Sequence, residues 1–213
     1  VCMLVAPGAA LAQQPVTLNV AYMPNYAALW AVITGIHQGY FAEQGITINL
    51  YEFADGPTEI AAMESGSIDV AYIGPGAHRL ASTGNASIFL FQHLGNADCV
   101  IGRPSHGVSR LEDLKGKKVA YASGTSSETI LQLALDSVGL SFNDIQAYDM
   151  DTSNMVSAMI SGSVDACATW SPNSARILNI LGDDAIKFVS NVDFIDVSVS
   201  PASWVCTPKY AQE

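Results

Sequence analysis

A repeated stretch constrains the fold of this chain more than any other feature of the sequence. Residues 63–69 read Met-Glu-Ser-Gly-Ser-Ile-Asp, and residues 159–165 read Met-Ile-Ser-Gly-Ser-Val-Asp. In each copy an apolar pattern of helical spacing precedes the glycine and a short apolar run follows it. Because glycine commonly ends a helix, each copy predicts a helix, a glycine stop and a strand.

Other residues recur at nearly the same distance. Asp55 and Asp151, which suit the N-cap position of the two predicted helices, are 96 residues apart, as are the two copies of the repeat. The tripeptide Val-Ala-Tyr occurs at residues 20–22 and again at 119–121. A repeat of this length exceeds the unit of a solenoid and predicts two lobes of similar α/β construction.

Length and charge limit the partners of the chain. With 213 residues it can form one large domain or two small ones with a sizeable core. Its formal net charge of −11 would repel nucleic acid and anionic lipid, so neither is expected as a partner. The acidic balance is equally consistent with a general contribution to solubility.

The start of the chain resembles the end of a secretory signal. Residues 1–12 are small or apolar, and residues 1–14 carry no charged side chain. Ala10, Leu11 and Ala12 form a small-x-small cleavage signal, with the cut expected before Gln13. We interpret residues 1–12 as the remnant of a signal peptide, the alternative being a fraying helix, and expect a periplasmic or otherwise extracytoplasmic protein.

Three cysteines follow the predicted cleavage point. Cys99, Cys167 and Cys206 have no metal-ligand spacing, and their odd number allows either one disulfide with a spare thiol or three buried thiols. Cys99 and Cys206 fall in the two segments predicted to cross between the lobes. A bridge between them is therefore one of the open alternatives.

Four loops follow predicted strands, two in each lobe. They are residues 22–26, 74–78, 121–127 and 170–173. Ligands of open α/β sheets bind outside the strand ends, so a ligand would lie between the lobes. Residues 123–127, rich in Gly, Ser and Thr at a helix start, offer N–H groups and hydroxyls to an anion. Alternatively they only cap the helix, since Thr125 and Glu128 fit a capping box.

Signals for catalysis are weak. No G-x-S-x-G, H-E-x-x-H, P-loop or G-x-G-x-x-G motif occurs, and the four histidines lack metal-ligand spacing. Tyr22, Tyr26 and Trp170 are candidates for packing against a ligand, whereas Trp30 is expected in the core. We therefore expect binding without chemistry, with no metal and no cofactor.

An ordered set of motifs from residue 16 to the end resembles a known family. The motifs are GYFAEQGI at 39–46, EFADGP at 52–57, SGSID at 65–69, DLKGKKVA at 113–120, GTSS at 124–127 and WSP at 170–172. Their order is similar to that of the exported solute-binding proteins of ABC importers for nitrate, aliphatic sulfonates, taurine and thiamin precursors, the NMT1-like family.

The resemblance implies a type II periplasmic-binding fold, an α/β fold in which two lobes joined by two hinge crossings close on a ligand. Lobe 1 is expected to contain residues 16–100 and 201–213, and lobe 2 residues 101–200. Relatives generally continue for about a hundred further residues that pack on lobe 1, so the chain is expected to be truncated. Ser171 and Asn173 replace an acidic residue and an aromatic that are usual around the family's Trp-x-Pro motif.

Strand-end loops and the resemblance together give a predicted ligand site. Its residues are Tyr22, Asn25, Tyr26, Gly74, Pro75, Ser123, Thr125, Ser126, Ser127, Trp170 and Asn173. The expected function is capture of a small polar or anionic solute, of sulfonate, taurine or nitrate type, by a monomer that delivers it to an ABC transporter permease. The alternatives are an enzyme on the same fold, of pyrimidine- or menaquinone-pathway type, and a ligand-sensing domain.

Overall fold

The computed structural model describes residues 14–24 and 29–212, which form two separate five-stranded sheets with helices packed against them. The strands are β1 (Val16–Tyr22), β2 (Ile46–Glu52), β3 (Val70–Ile73), β4 (Ser87–Leu94), β5 (Asp98–Gly102), β6 (Lys118–Tyr121), β7 (Gln146–Asp149), β8 (Ala166–Trp170), β9 (Ile186–Ser190) and β10 (Pro201–Cys206). The α-helices are α1 (Leu29–His37), α2 (Tyr40–Glu43), α3 (Gly56–Glu64), α4 (Pro75–Leu80), α5 (Ser126–Ser137), α6 (Thr152–Ser161) and α7 (Asn173–Leu181). The predicted signal segment 1–12 and the predicted site residues Asn25 and Tyr26 lie outside the described residues.

The two sheets have the same construction. Their orders are β2-β1-β3-β10-β4 and β7-β6-β8-β5-β9, with three parallel strands and then an antiparallel one in each. The antiparallel strand of the first sheet comes from the end of the described chain, and that of the second sheet directly follows β4. The chain therefore passes between the sheets twice. The predicted lobe boundary between residues 100 and 101 falls inside β5, all of which pairs with β8.

The helices of the repeat begin and end as predicted. Asp55 caps α3 and Asp151 caps α6, and each carboxylate accepts a backbone N–H from the first turn of its helix. Gly66 and Gly162, in the turns after these helices, both have φ of +77°. Glycine reaches this left-handed conformation without steric cost, which explains the shared Ser-Gly-Ser sequence.

The aspartate of each repeat fastens two strands together. The Oδ2 atom of Asp69 accepts the backbone N–H of Asn19 at 2.8 Å, and that of Asp165 accepts the N–H of Lys118 at 2.9 Å. Asn19 lies in β1 and Lys118 begins β6, so the two copies make the same connection in the two sheets. The repeated element therefore has a structural role in both sheets.

The prediction that Trp30 lies in the core was wrong. Its side chain is 71% exposed, because α1 buries the face that carries Val32 and Gly35. Gly35 packs against Phe41, and a Cβ at that glycine would lie only 2.6 Å from the Phe41 ring. Gly39, with φ of +79°, separates α1 from the short helix α2.

The three described cysteines are free and buried. Cys99 lies in β5 of the second sheet, and Cys206 lies in β10 of the first. Of the two open alternatives, the structure has three buried thiols without a disulfide. Burial raises the pKa of the Cys99 thiol to about 11, so its reactive thiolate form is disfavoured.

Strand β4 forms an apolar edge of the first sheet. Five of its side chains are more than half exposed: Ile88, Phe89, Leu90, Phe91 and Leu94. They include successive residues, which point to opposite faces of a sheet, so neither face of this strand is fully covered. Among the described helices none combines the length and apolarity needed to cross a membrane.

Candidate functional site

The starts of α4 and α5, from different sheets, are in contact. A Cβ built on Gly76 would lie 2.2 Å from the carbonyl carbon of Thr125 and 2.6 Å from the Ser126 nitrogen. No side chain fits at such a distance, so the contact requires glycine at position 76. The structure thus brings the predicted loops 74–78 and 121–127 together, with Gly74 and Pro75 at the start of α4.

Three hydroxyls of the Ser/Thr-rich loop donate to protein acceptors. Thr125 Oγ1 donates to the Ala122 carbonyl and Ser127 Oγ to the Ala168 carbonyl, both at 2.7 Å. Ser126 Oγ donates to the carboxylate of Asp98 at 2.5 Å. In the described conformation these hydroxyl hydrogens shape the loop and are not available to a ligand.

The same loop contains a modified capping arrangement. Thr125 is the N-cap of α5, but its side chain accepts the N–H of Ser127 and not that of Glu128, which a capping box requires. The Glu128 carboxylate accepts the N–H of Gly124 and not that of the cap residue, so the predicted capping box does not form. Ser123 is exposed, and its N–H donates to Asp149. The carboxylates of Glu128 and Asp149 therefore fix the two residues that precede the cap.

Trp170 and Asn173 present buried donors without partners. Trp170 Nε1 and Asn173 Nδ2 make no hydrogen bond within the described part of the chain, although the residues are only 4% and 7% exposed. An unsatisfied buried donor costs about 1–3 kcal/mol. Such donors are rare in folded proteins and indicate where an acceptor belongs. Both residues belong to the site predicted from the sequence.

Cavities surround this contact between the sheets. One of about 20 Å³ is lined by Met23, Gly56, Pro57, Gly74, Gly76, Ala77, Thr125, Ser126 and Trp170. A second of about 380 Å³ is lined by Pro24, Trp30, His93, Gly95, Ala97, Asp98, Ser171, Pro172, Ser200 and Ala202. The first has room for about one water molecule, and the second has the size of a small-molecule site.

The predicted site residue Tyr22 does not line either of these cavities. Its hydroxyl donates to Glu52 on the neighbouring strand at 3.3 Å.

Asp98 is a site residue that the sequence analysis missed. Besides the Ser126 hydroxyl, its carboxylate accepts Asn191 Nδ2 at 2.8 Å and Ser200 Oγ at 3.2 Å. Desolvation raises the pKa of Asp98, and the three hydrogen bonds oppose this rise. The sequence does contain a signal for it, because Asp98 is a charged residue at the start of the otherwise apolar strand β5. The segment around Cys99 is predicted from the sequence only as one of the two crossings between the lobes.

The chain matches one protein family over most of its length. The sequence profile of the family described as "NMT1/THI5 like" matches residues 27–197. A protein of Brucella abortus (strain 2308) named as a binding protein is 31% identical over 207 residues, which are 97% of this chain and 64% of that relative. The taurine-binding periplasmic protein of Escherichia coli (strain K12) is 23% identical, with 79% of this chain and 53% of the relative covered. The chain thus spans less than two thirds of the length of these relatives.

Solved structures confirm the predicted type II periplasmic-binding fold with two α/β lobes. The alkanesulfonate-binding protein SsuA from Xanthomonas axonopodis pv. citri, bound to MOPS, superposes with a TM-score of 0.78 at 25% identity. The match covers 94% of this chain and 68% of that one. The periplasmic aliphatic sulphonate binding protein SsuA from Escherichia coli has a TM-score of 0.73 at 26% identity, covering 93% of this chain and 67% of that protein.

Proposed function

The chain belongs to the NMT1/THI5-like family, and from that membership we propose that it captures a small polar or anionic solute between its lobes and delivers it to an ABC transporter permease. The named binding proteins among its relatives and structural neighbours support this proposal. A monomer outside the cytoplasm, exported by its signal segment, is part of the same proposal.

One observation carries the proposal: the buried donors of Trp170 and Asn173 lack acceptors, and Trp170 lines the cavity where the lobes meet. Sulfonate or nitrate oxygens would supply those acceptors. The N-terminus of α5 lies on the same contact and adds the positive end of its helix dipole. The anion is thus held mainly by N–H groups, while the hydroxyls of Thr125, Ser126 and Ser127 keep the loop in shape.

Lobe opening is needed for the solute to enter. The space between Gly74, Thr125 and Trp170 is only about 20 Å³, so a sulfonate cannot enter it while the lobes are in contact. Rotation about the two crossings would separate the contact between Gly76 and Thr125 and admit the solute, as in other hinged proteins. Asn25 and Tyr26 remain predicted members of this site, on the loop that follows β1.

The indole N–H of Trp170 provides a direct test. Trp170→Phe keeps an aromatic ring but removes the donor, and we expect about tenfold weaker binding of ethanesulfonate in calorimetry. The matched control is Trp204→Phe, because Trp204 Nε1 already donates to Gln92 in the first sheet. Equal affinities for the two variants and the unsubstituted chain would remove Trp170 from the site. Absence of binding to ethanesulfonate, taurine and nitrate alike would contradict the proposed function.

A further inference from the structure

The carboxylate of Asp98 is a buried charge without a cationic partner. The residue is 4% exposed, and its three donors, from Ser126, Asn191 and Ser200, are all neutral. None of the ion pairs between described residues includes it. Buried carboxylates are usually paired with a cation or a metal. The partner of Asp98 therefore has to be sought outside the side chains of the described residues.

Asp98 faces a space that can hold such a partner. It lines the cavity of about 380 Å³ between the two sheets, together with Trp30 and Ser200. Trp30 offers an aromatic surface there, and aromatic rings attract cations. The other titratable side chain of this cavity, His93, has its Nδ1 atom 3.3 Å from the Tyr72 hydroxyl. The cavity thus combines a carboxylate with an aromatic wall.

Asp98 is also a direct neighbour of the proposed anion site. In the register of β5 and β8 it stands opposite Trp170, so the two side chains lie on the same face of the sheet. Side chains in such pairs start from Cβ atoms about 5 Å apart. A simple anion bound by Trp170 would therefore lie beside a carboxylate and be repelled by it. An anion that carries its own positive group avoids this repulsion.

We infer that the captured solute is a short zwitterion, whose acid group is bound at Trp170 and Asn173 and whose amino group is bound by Asp98. Amino-alkanesulfonates and short ω-amino acids belong to this class. Asp98 is then the residue that determines specificity, since it distinguishes such solutes from simple sulfonates and nitrate. This inference rests on the proposed function.

A structural role for Asp98 leads to a different expectation. Through Ser126 and Ser200 the carboxylate joins the start of α5 to the segment before β10, and so holds the crossing between the sheets. If this were its only role, removing the charge would weaken every ligand equally. A role in specificity changes only the ligands that carry an amino group.

Two ligands that differ only in the amino group separate these roles. Taurine and ethanesulfonate have the same two-carbon chain and sulfonate, and calorimetry gives the affinity of each. We expect the unsubstituted chain to bind taurine at least about tenfold more tightly, the effect of one charge-assisted hydrogen bond. In Asp98→Asn the preference for taurine should disappear while ethanesulfonate binds as well as before or better. The control is Asp136→Asn on the exposed side of α5, which should keep the preference.

Every other outcome contradicts either the inference, the specificity role of Asp98 or the proposed function. Equal affinity of the unsubstituted chain for the two ligands contradicts the inference and leaves the proposed function intact. An equal loss for both ligands in Asp98→Asn assigns the residue a structural role only. If neither ligand binds, the inference fails, and if nitrate does not bind either, the proposed function fails with it. The comparison in the unsubstituted chain needs no variant, so the test stands even where Asp98→Asn does not fold.

Discussion

Glu59 is a buried acid whose cost to the fold can be measured. Its side chain is fully buried in α3, and its carboxyl oxygens have no hydrogen-bond partner among the described residues. Desolvation, helped by the negative charge of Asp55, raises the pKa of Glu59 well above its usual value. The folded state therefore favours the protonated carboxyl. Its contribution to stability is present below the pKa of the unfolded chain and is lost as the pH rises through the folded pKa.

Substitution of Glu59 by glutamine should stabilise the protein at neutral pH. Glu59→Gln removes a carboxyl that ionises freely at pH 7 only in the unfolded chain, so we expect the free energy of unfolding at pH 7 to rise by about 1 kcal/mol. The gain should shrink towards zero near pH 4, where the carboxyl is protonated in both states. Urea unfolding at a series of pH values measures it, with Glu64→Gln on the exposed side of the same helix as control. A gain that does not depend on pH would contradict the assigned cause.

Single residues differ in how far the sequence predicts them. Asp55 and Asp151 were predictable as caps because an N-cap depends on neighbours within one turn. Trp30 was not, because the face of α1 that becomes buried depends on Phe41 and the sheet. Asp98 was missed for a similar reason: its partners Asn191 and Ser200 are about a hundred positions away along the chain.

Elements built from local signals were also predicted, whereas long-range pairing was not. The glycine stops and caps predict the helices α3 and α6 and the strands that follow them. Nothing local indicates that β10 inserts between β3 and β4, or that β5 takes the equivalent place in the other sheet. These pairings bring Asp98 opposite Trp170, so the centre of the candidate site depended on information that the local pattern lacks.

The contact between the starts of α4 and α5 gives a prediction at the level of elements. In Gly76→Ala the added methyl cannot fit against Thr125, so the lobes cannot close as they do here. Overpacking of this kind costs about 1–3 kcal/mol, and affinity for the solute should fall about tenfold or more. Calorimetry with taurine measures the change, and Ser82→Ala at an exposed position just after α4 is the control. Unchanged affinity would mean that solute binding does not need this contact.

The whole molecule is organised as two equivalent halves with exchanged strands. The antiparallel strand of each sheet, β10 in the first and β5 in the second, directly follows a segment of the other half. The two crossings meet where Ser200, just before β10, donates to Asp98 at the start of β5. A change at this junction acts on both lobes at once. The sequence repeat predicted the two halves, but it carried no information on the crossing strands, which lie outside the repeated stretches.

Solute capture at Trp170 is the central claim, and NMR of the three tryptophan side chains tests it most directly. In ¹⁵N-labelled protein each indole N–H gives one signal, which can be followed as taurine is added. We predict that the Trp170 signal moves to the shift of a strongly hydrogen-bonded N–H, whereas that of Trp204, already bound to Gln92, stays in place. A Trp170 signal that remains unchanged at saturating taurine would contradict the account.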